Sequence, residues 1–417
     1  MINYENGILK INSKRSFFDV LWGISFFLFM LSVICYSVDQ SKNYFYFFVF
    51  FLLFGVCAAD FLVRKLSFRR IWLPLHTIWY GLFLLLCVIS TIWAQSFDVA
   101  MLPMSRMVQI LVITMFLVYF VDSEDRMELY LNILIAATMY MTVYIFVKTP
   151  YDMWFDGFLG QVTNYNTNDV GFALSICFLL SFYKAFVKKK FYMYAVCALT
   201  FTAAVLTSSR KALLMCVMGM GMMVVFNYRK KNYMLRVFCF IGVLILAVIL
   251  IYQIPELYNT VGKRMDRMID FFMVDKTVDQ SLYLRRVFID MAQSFFADSP
   301  IFGHGINNFQ YLSGLSGEIA TYAHNNYWEL AADLGVLGLV AYYWFYAYML
   351  VKLFLQMIDG HKLSLLFLPV MILFLVFEYG MVNYYKMQVQ LMIAMSFVTI
   401  NLNDSIKVRE RRKEVAA

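Results

Sequence analysis

Long apolar runs recur along this chain so often that water cannot be the solvent for most of its length. Stretches of roughly 16 to 23 mostly apolar residues lie near 17–38, 44–63, 71–93, 106–121, 129–147, 170–187, 191–207, 212–226, 237–253, 331–351, 363–382 and 387–402. About 20 such residues carry an α-helix across a bilayer core. With 62% hydrophobic residues, only 15% charged and a mean hydropathy of +0.68, the 417 residues cannot be a set of soluble domains. The expectation is an all-α polytopic membrane protein with about twelve transmembrane helices. The first run is long enough to span and has no small-residue cleavage pattern after it, so it reads as a span rather than a signal peptide. All seven cysteines lie inside apolar runs without CxxC spacing, which predicts small core residues and neither disulfides nor a zinc site.

The distribution of Lys and Arg predicts an orientation. With the N-terminus inside, 23 of the 35 fall in cytoplasmic segments, six in short outer segments and six in the loop 254–330. A cytoplasmic excess is the positive-inside pattern. Both termini are therefore expected in the cytoplasm, with the long loop facing out. This divides the chain into helices 1 to 9 (1–253), a large extracytoplasmic catalytic loop (254–330), and helices 10 to 12 with a basic tail (331–417). The tail, KVRERRKE, reads as a solvated segment that touches anionic membrane lipid, and no nucleic-acid partner is expected.

The outer loop holds six Lys/Arg against nine Asp/Glu, so its arginines are not a generic basic surface. Helical apolar spacing at 263–275 and 282–297 predicts two short helices on or near the membrane surface, with Arg285 and Arg286 at the polar edge of the second. An ion pair or a lipid-phosphate anchor is the ordinary role for such arginines. Arg210, in TSSRK, sits at the outer end of a span, where orientation signals disfavour a positive charge. An ionisable residue there is a functional candidate, its planar fork suiting phosphate oxygens, with snorkelling to headgroups as the alternative.

Four histidines are present. His76 lies within a span and reads as a satisfied core residue, and His361 lies beside Lys362 on the cytoplasmic side. His304 fills a Gly-His-Gly turn whose glycines, Gly303 and Gly305, supply the tight bend, and its ring is expected to face water. His324 stands immediately before Asn325 and Asn326, good helix N-cap types, at the start of an apolar helix. That places an imidazole at the lipid–water boundary, where it suits proton transfer; a histidine with no chemistry beside a cap is the other reading. The outer segment FDGFLGQVTNYNTNDVG at 155–171 carries Asn164 and Asn166, whose amides suit sugar hydroxyls or serve as turn and cap groups.

Four stretches together carry a resemblance: NYNTNDVGFAL at 164–174, LTSSRKALL at 206–214, the segment from Arg285 to PIFGHGINNF at 300–309, and AHNNYWELAADLGVLGL at 323–339. In order and spacing they resemble the O-antigen ligase and O-antigen or capsule polymerase (Wzy-type) family of bacterial membrane glycosyltransferases. The resemblance implies glycan transfer from an undecaprenyl-diphosphate-linked oligosaccharide to a glycan or lipid acceptor. It places the reaction at the outer face of the bacterial cytoplasmic (inner) membrane, without metal or other cofactor. It further implies that Arg210 and Arg285 hold the diphosphate and that His324 activates the acceptor hydroxyl. Arg286, Asn325, Glu329, Asn164, Asn166, Gly303 and Gly305 would then be supporting residues, and a flippase and a chain-length regulator would be partners. Two departures stand out: Phe155, Asp156 and Gly157 occupy the region where the family often has an arginine, and Asn164-Tyr165-Asn166 replaces the usual asparagine-proline. Repeat-unit polymerisation is the leading expectation, ligase-type transfer the alternative. A lipid-linked glycan transporter or flippase is the rival class; it predicts charges buried mid-membrane in several spans, whereas here the candidate charges gather at the outer surface.

Overall fold

The computed structural model describes residues 3–5, 8–10, 17–35, 44–63, 73–154, 159–160, 167–227, 233–255, 258–263, 266, 280–317 and 319–416. The expected all-α class holds: apart from a short antiparallel pair, Asn3–Glu5 with Ile8–Lys10, the described secondary structure is helical. Helices α1 (Phe17–Cys35), α2 (Tyr44–Val63), α3 (Leu75–Ser90), α4 (Phe97–Met101), α5 (Met104–Phe120), α6 (Glu124–Lys148), α7 (Thr167–Phe186), α8 (Met193–Leu206), α9 (Arg210–Phe226) and α10 (Tyr233–Gln253) precede the long loop 254–330. Within the loop lie α11 (Gln280–Asp298) and α12 (Asn308–Leu315), and α13 (Asn326–Ile358), α14 (Ser364–Phe377) and α15 (Met387–Ala416) close the chain. Every predicted apolar run coincides with a helix. Among the described residues seven helical segments are long and apolar enough to cross a membrane, and three shorter apolar helices, Leu75–Ser90, Met193–Leu206 and Ser364–Gly380, accompany them. The chain is a multi-pass membrane protein.

Backbone groups in hydrocarbon have no water to bond, so packing contacts and internal hydrogen bonds assemble such helices. Trp22 of α1 stacks on Phe120 of α5 with ring centroids 4.2 Å apart. Trp79 of α3 stacks on Phe345 of α13 at 4.4 Å and donates its indole N–H to the Ala341 carbonyl at 3.0 Å. Helices α7 and α9 approach closely because Gly171 has no side chain: a Cβ there would lie 2.9 Å from both Ala212 and Ser209. That contact sets the N-terminal ends of the two helices side by side. His76 is fully buried against Trp79 and Phe345 as expected, but neither ring nitrogen has a hydrogen-bond partner, so it is a core residue held by ring packing alone. Six of the seven cysteines are buried and all are free; Cys239 is exposed on the outside of α10, because that helix packs along little besides α9.

Helix α11 matches the second helix expected in the loop, while most of the first, 263–275, lies outside the described residues. Its apolar face covers protein rather than the membrane surface. Phe288 and Ala292 pack with Phe309 of α12 and with Ala323 and Ala332, forming a second small core above the helical bundle, with Leu284 and Met291 at its edge. The loop thus folds back over the N-terminal end of α13, and Arg285 on α11 is carried towards His324.

Candidate active site

The loop's folding depends on a break in α13. Gly335 adopts φ 62°, ψ −160°, a conformation open essentially to glycine, and interrupts the helix just inside its start. The turn that begins at Pro300 docks on this break. Val336 N–H donates to the Pro300 carbonyl (2.8 Å), His304 N–H to the Ala332 carbonyl (3.0 Å) and Gly305 N–H to the Asp333 carbonyl (2.8 Å). Asp333 adds its side chain, accepting from Asn307 N–H at 2.6 Å and Phe309 N–H at 2.7 Å. The two glycines of the turn are spacers: at Gly303 (φ +64°) a Cβ would overlap the Asp333 backbone, and at Gly305 (φ +93°) it would lie 2.5 Å from Ala94. Neither lines the cleft described below. The ring of His304 does not face water; its Nε2 lies 2.9 Å from the Phe295 carbonyl, which ties the turn to α11.

The turn bearing His324 is held from both sides by the first turn of α13. Asn325 is the N-cap, its Oδ1 accepting from Tyr327 N–H (3.0 Å) and Trp328 N–H (3.1 Å). Glu329, fully buried, accepts from Ala323 N–H at 2.5 Å. Between these two anchors His324 takes a left-handed φ of 55°, rare for a residue with a side chain and a mark of functional constraint when the surroundings enforce it. Asn326 reaches the other way: its Nδ2 donates to Tyr343 Oη (2.8 Å) and to Glu378 (3.2 Å), and its Oδ1 accepts from Asn383 N–H (2.8 Å). The His324 turn is thereby joined to the segment 378–386.

These walls enclose a partly open cleft of about 70 Å³ lined by Asn168, Asp169 and Phe172 of α7, Lys211, Ala212 and Met215 of α9, Arg285 of α11, Tyr322 and His324, and Gly380, Met381 and Lys386. Two predicted residues, Arg285 and His324, meet here. Arg210 does not line the cleft; it opens α9, and the next residue, Lys211, turns inward and donates to the Gly380 carbonyl. Arg286 is exposed on the outer side of α11. Asn164 and Asn166 lie outside the described residues, but Asn168 and Asp169, immediately downstream, form one wall. Tyr322 sits with its ring centroid 4.1 Å from that of His324.

Lys211, Lys386, Asp169 and Tyr322 escaped the sequence reading. The signal that marks Lys386 is the one that marks Arg210, a cation at the end of an apolar run. Asp333 was missed because a carboxylate at the mouth of an apolar run gives no hint that it caps the backbone of a turn 24 to 26 residues upstream.

Burial, then the cations Arg285, Lys211 and Lys386, hold the His324 imidazole down at about 4 from an ordinary 6.5. At neutral pH the ring is therefore uncharged, with a lone pair free to accept a proton. Burial, then Arg285 and Lys386, push Lys211 down to about 7, so with Arg285 and Lys386 set against Asp169 the cleft carries between one and two net positive charges beside that ring. Such a site suits an anion next to a proton acceptor.

A family model described as O-antigen ligase matches residues 195–343. The chain carries an O-antigen ligase family domain. The match takes in Lys211, Arg285 and the whole of the docked loop with His324, whereas Asp169 and Lys386 of the same cleft lie on either side of the O-antigen ligase domain. Neither the curated proteins nor the solved structures gave a match.

Proposed function

We propose that this membrane protein transfers a glycan from an undecaprenyl-diphosphate carrier to an acceptor hydroxyl, as the O-antigen ligase domain suggests. The observation that carries the reading is the convergence of three cations and a neutral imidazole in one cleft. Arg285 holds the diphosphate, with Lys211 and Arg210 adding positive charge from the start of α9. His324 takes the acceptor proton. The acceptor oxygen bonds to the anomeric carbon, the bond from that carbon to the phosphate oxygen breaks, and its electron pair leaves with the diphosphate. Fixed cations at a partly dehydrated boundary stabilise the charge that grows there. The description of the matched family favours ligase-type transfer to a lipid or other acceptor over repeat-unit polymerisation, reversing the order expected from the sequence.

The test is a purified assay with an undecaprenyl-diphosphate-linked glycan and two acceptors, a lipid core saccharide and a second lipid-linked repeat unit. Release of undecaprenyl diphosphate only with the first supports ligation, and only with the second supports polymerisation. Arg285→Lys keeps a point charge but loses the two-pronged fork. We expect about 10²-fold slower transfer at normal protein levels, the size seen when one preorganised donor to a developing oxyanion is removed. Normal transfer by Arg285→Lys, or no diphosphate release with either acceptor, would sink the proposal.

The reading places the cleft at the outer face of the cytoplasmic membrane with both termini inside. Ser316, in the loop, is exposed. In intact cells, on a Cys239→Ala background, a cysteine replacing Ser316 should react with an impermeant thiol reagent, and one replacing exposed Lys362 should not. Reversed labelling would invert the orientation.

A further inference from the structure

Lys386 and Asp169 form an ion pair inside the cleft, Nζ to Oδ1 at 3.1 Å, with 31% and 30% of their side chains exposed. The pair is neither sealed in protein nor free in solvent; it stands in the cleft wall, facing the space that Arg285 and His324 also face. The two residues come from distant parts of the chain, the first turn of α7 and the residue just before α15. Lys211, by contrast, is committed to the backbone: its ammonium bonds the Gly380 carbonyl and so anchors the segment that carries Lys386. The backbone of Lys386 is fixed as well, its N–H donating to Asn383 (3.0 Å) and its carbonyl accepting from Gln390 N–H (3.1 Å). What remains adjustable is the four-carbon stem of Lys386, a compact charge on a flexible arm.

The charges of the reaction show why such an arm is useful. A diphosphate substituted at both ends carries two negative charges, which Arg285 and a Lys211 recharged by the bound anion balance while Asp169 neutralises Lys386. Once the bond to the sugar breaks, the terminal phosphate carries about −1.5 to −2 near neutral pH rather than −1. The additional charge appears on the one oxygen that had bonded the sugar. An interaction made only as that charge develops accelerates the chemical step, whereas one made equally to the intact donor does not.

We propose that Asp169 holds Lys386 in reserve while the intact donor is bound, and that Lys386 turns from Asp169 to the departing phosphate oxygen as the glycosidic bond breaks. The electron pair of that bond stays on this oxygen, the acceptor proton goes to His324, and the Lys386 ammonium offsets the charge without itself losing a proton. Lys386 is thus a leaving-group cation that engages only as the bond breaks, whereas Arg285 already touches the intact donor. This inference rests on the glycan-transfer reading above.

The experiment is steady-state kinetics of the full-length protein with a lipid-diphosphate-linked glycan, together with inhibition by added undecaprenyl diphosphate. Lys386→Met should lower kcat by about 10²-fold, as for loss of one oxyanion partner, while leaving the donor KM nearly unchanged. It should also weaken inhibition by undecaprenyl diphosphate by about tenfold, and Lys386→Arg should restore most of the turnover. Asp169→Asn releases Lys386 onto the intact donor, so donor KM should fall and kcat should fall with it, the signature of added ground-state binding. A Lys386→Met protein with raised KM and unchanged kcat would show a plain donor ligand and overturn the inference, as would unaltered kinetics. If Lys386→Met does not fold, Asp169→Asn decides: unchanged KM and kcat overturn the proposal. Wild-type protein that transfers no glycan from the diphosphate donor sinks the underlying reading as well, so the two failures are distinguishable.

Discussion

His324→Ala should leave the protein folded and lower turnover by about 10²- to 10⁴-fold, the usual contribution of a general base. Among the described residues the ring makes no hydrogen bond that braces the fold, and it packs on the rings of Tyr322 at 4.1 Å and Phe288 at 6.0 Å. His324→Gln keeps the size and a hydrogen-bonding group and should not restore turnover. Near-normal activity in that variant would make the imidazole a positioning group. Glu329 would not inherit the role, because it lies buried beneath the turn, bonded to Ala323 N–H; Tyr322, in the cleft wall, would be the next to test. The pH dependence has a definite sign. With no anion bound, burial and then Arg285, Lys211 and Lys386 hold His324 at about 4, below its ordinary 6.5, so it is neutral above that value and protonates only as pH falls through it. The acid limb of kcat/KM, which reports the free enzyme, should therefore lie near pH 4. A bound diphosphate offsets Arg285, Lys211 and Lys386, raises the affinity of the ring for a proton, and moves the acid limb of kcat to higher pH. Coincident limbs near 6.5 would remove His324 as the base. The same shift acts on stability: the unfolded chain takes up this proton below about 6.5 while the folded one does not, so stability declines as pH falls from 6.5 towards 4.

Gly335→Ala should be, with Gly303→Ala, among the most damaging single-methyl changes around the docked turn. The backbone at φ 62°, ψ −160° disfavours any side chain, and a Cβ there would overlap the Ile301 carbonyl and lie 2.7 Å from the Pro300 oxygen. Strain and overpacking together cost about 2 to 6 kcal/mol. That is a large part of a typical stability of about 5 to 15 kcal/mol. The obstacle is backbone, which cannot rotate aside as a side chain can. The docked turn would come away from α13, and with it Asp333's hold on residues 307 to 309. The expected result is a lower Tm in detergent and loss of transfer together. By comparison Gly317→Ala, where nothing lies within 4 Å of the added methyl, should cost only the backbone strain of φ +84°. Equal Tm values for Gly335→Ala and wild type would mean that the break does not hold the loop.

The helices were legible because each follows from local chemistry: a run of apolar residues with a polar connection at either end is sufficient, and every such run is helical here. Helix α11 was legible from the spacing of Leu284, Phe288 and Met291, yet what its face covers was not. A helical stripe records that a surface is apolar without recording whether lipid or protein meets it, and in this fold Phe309, Ala323 and Ala332 do. Asn325 as the cap was likewise a local matter, decided within the first turn of α13.

The cleft belongs to the other category. Arg285 and His324 could be singled out in the sequence by residue type and by position at the outer surface, and by the resemblance they carry. Lys211 in place of Arg210 at the cleft wall depends on the rotation of α9, which is set by the close contact of Gly171 with Ala212 and Ser209. Asp169 and Lys386 are 217 residues apart and meet only because α7, α9 and the segment before α15 end at the same level. The sequence by itself determined that the chain enters a membrane as helices and leaves polar residues at one face, because hydrophobicity and capping act over a few residues. Which of those polar groups share one cleft was decided by helix rotation, by the break at Gly335 and by the turn docked upon it. Those are properties of packed backbones, and side-chain chemistry read along a line does not contain them.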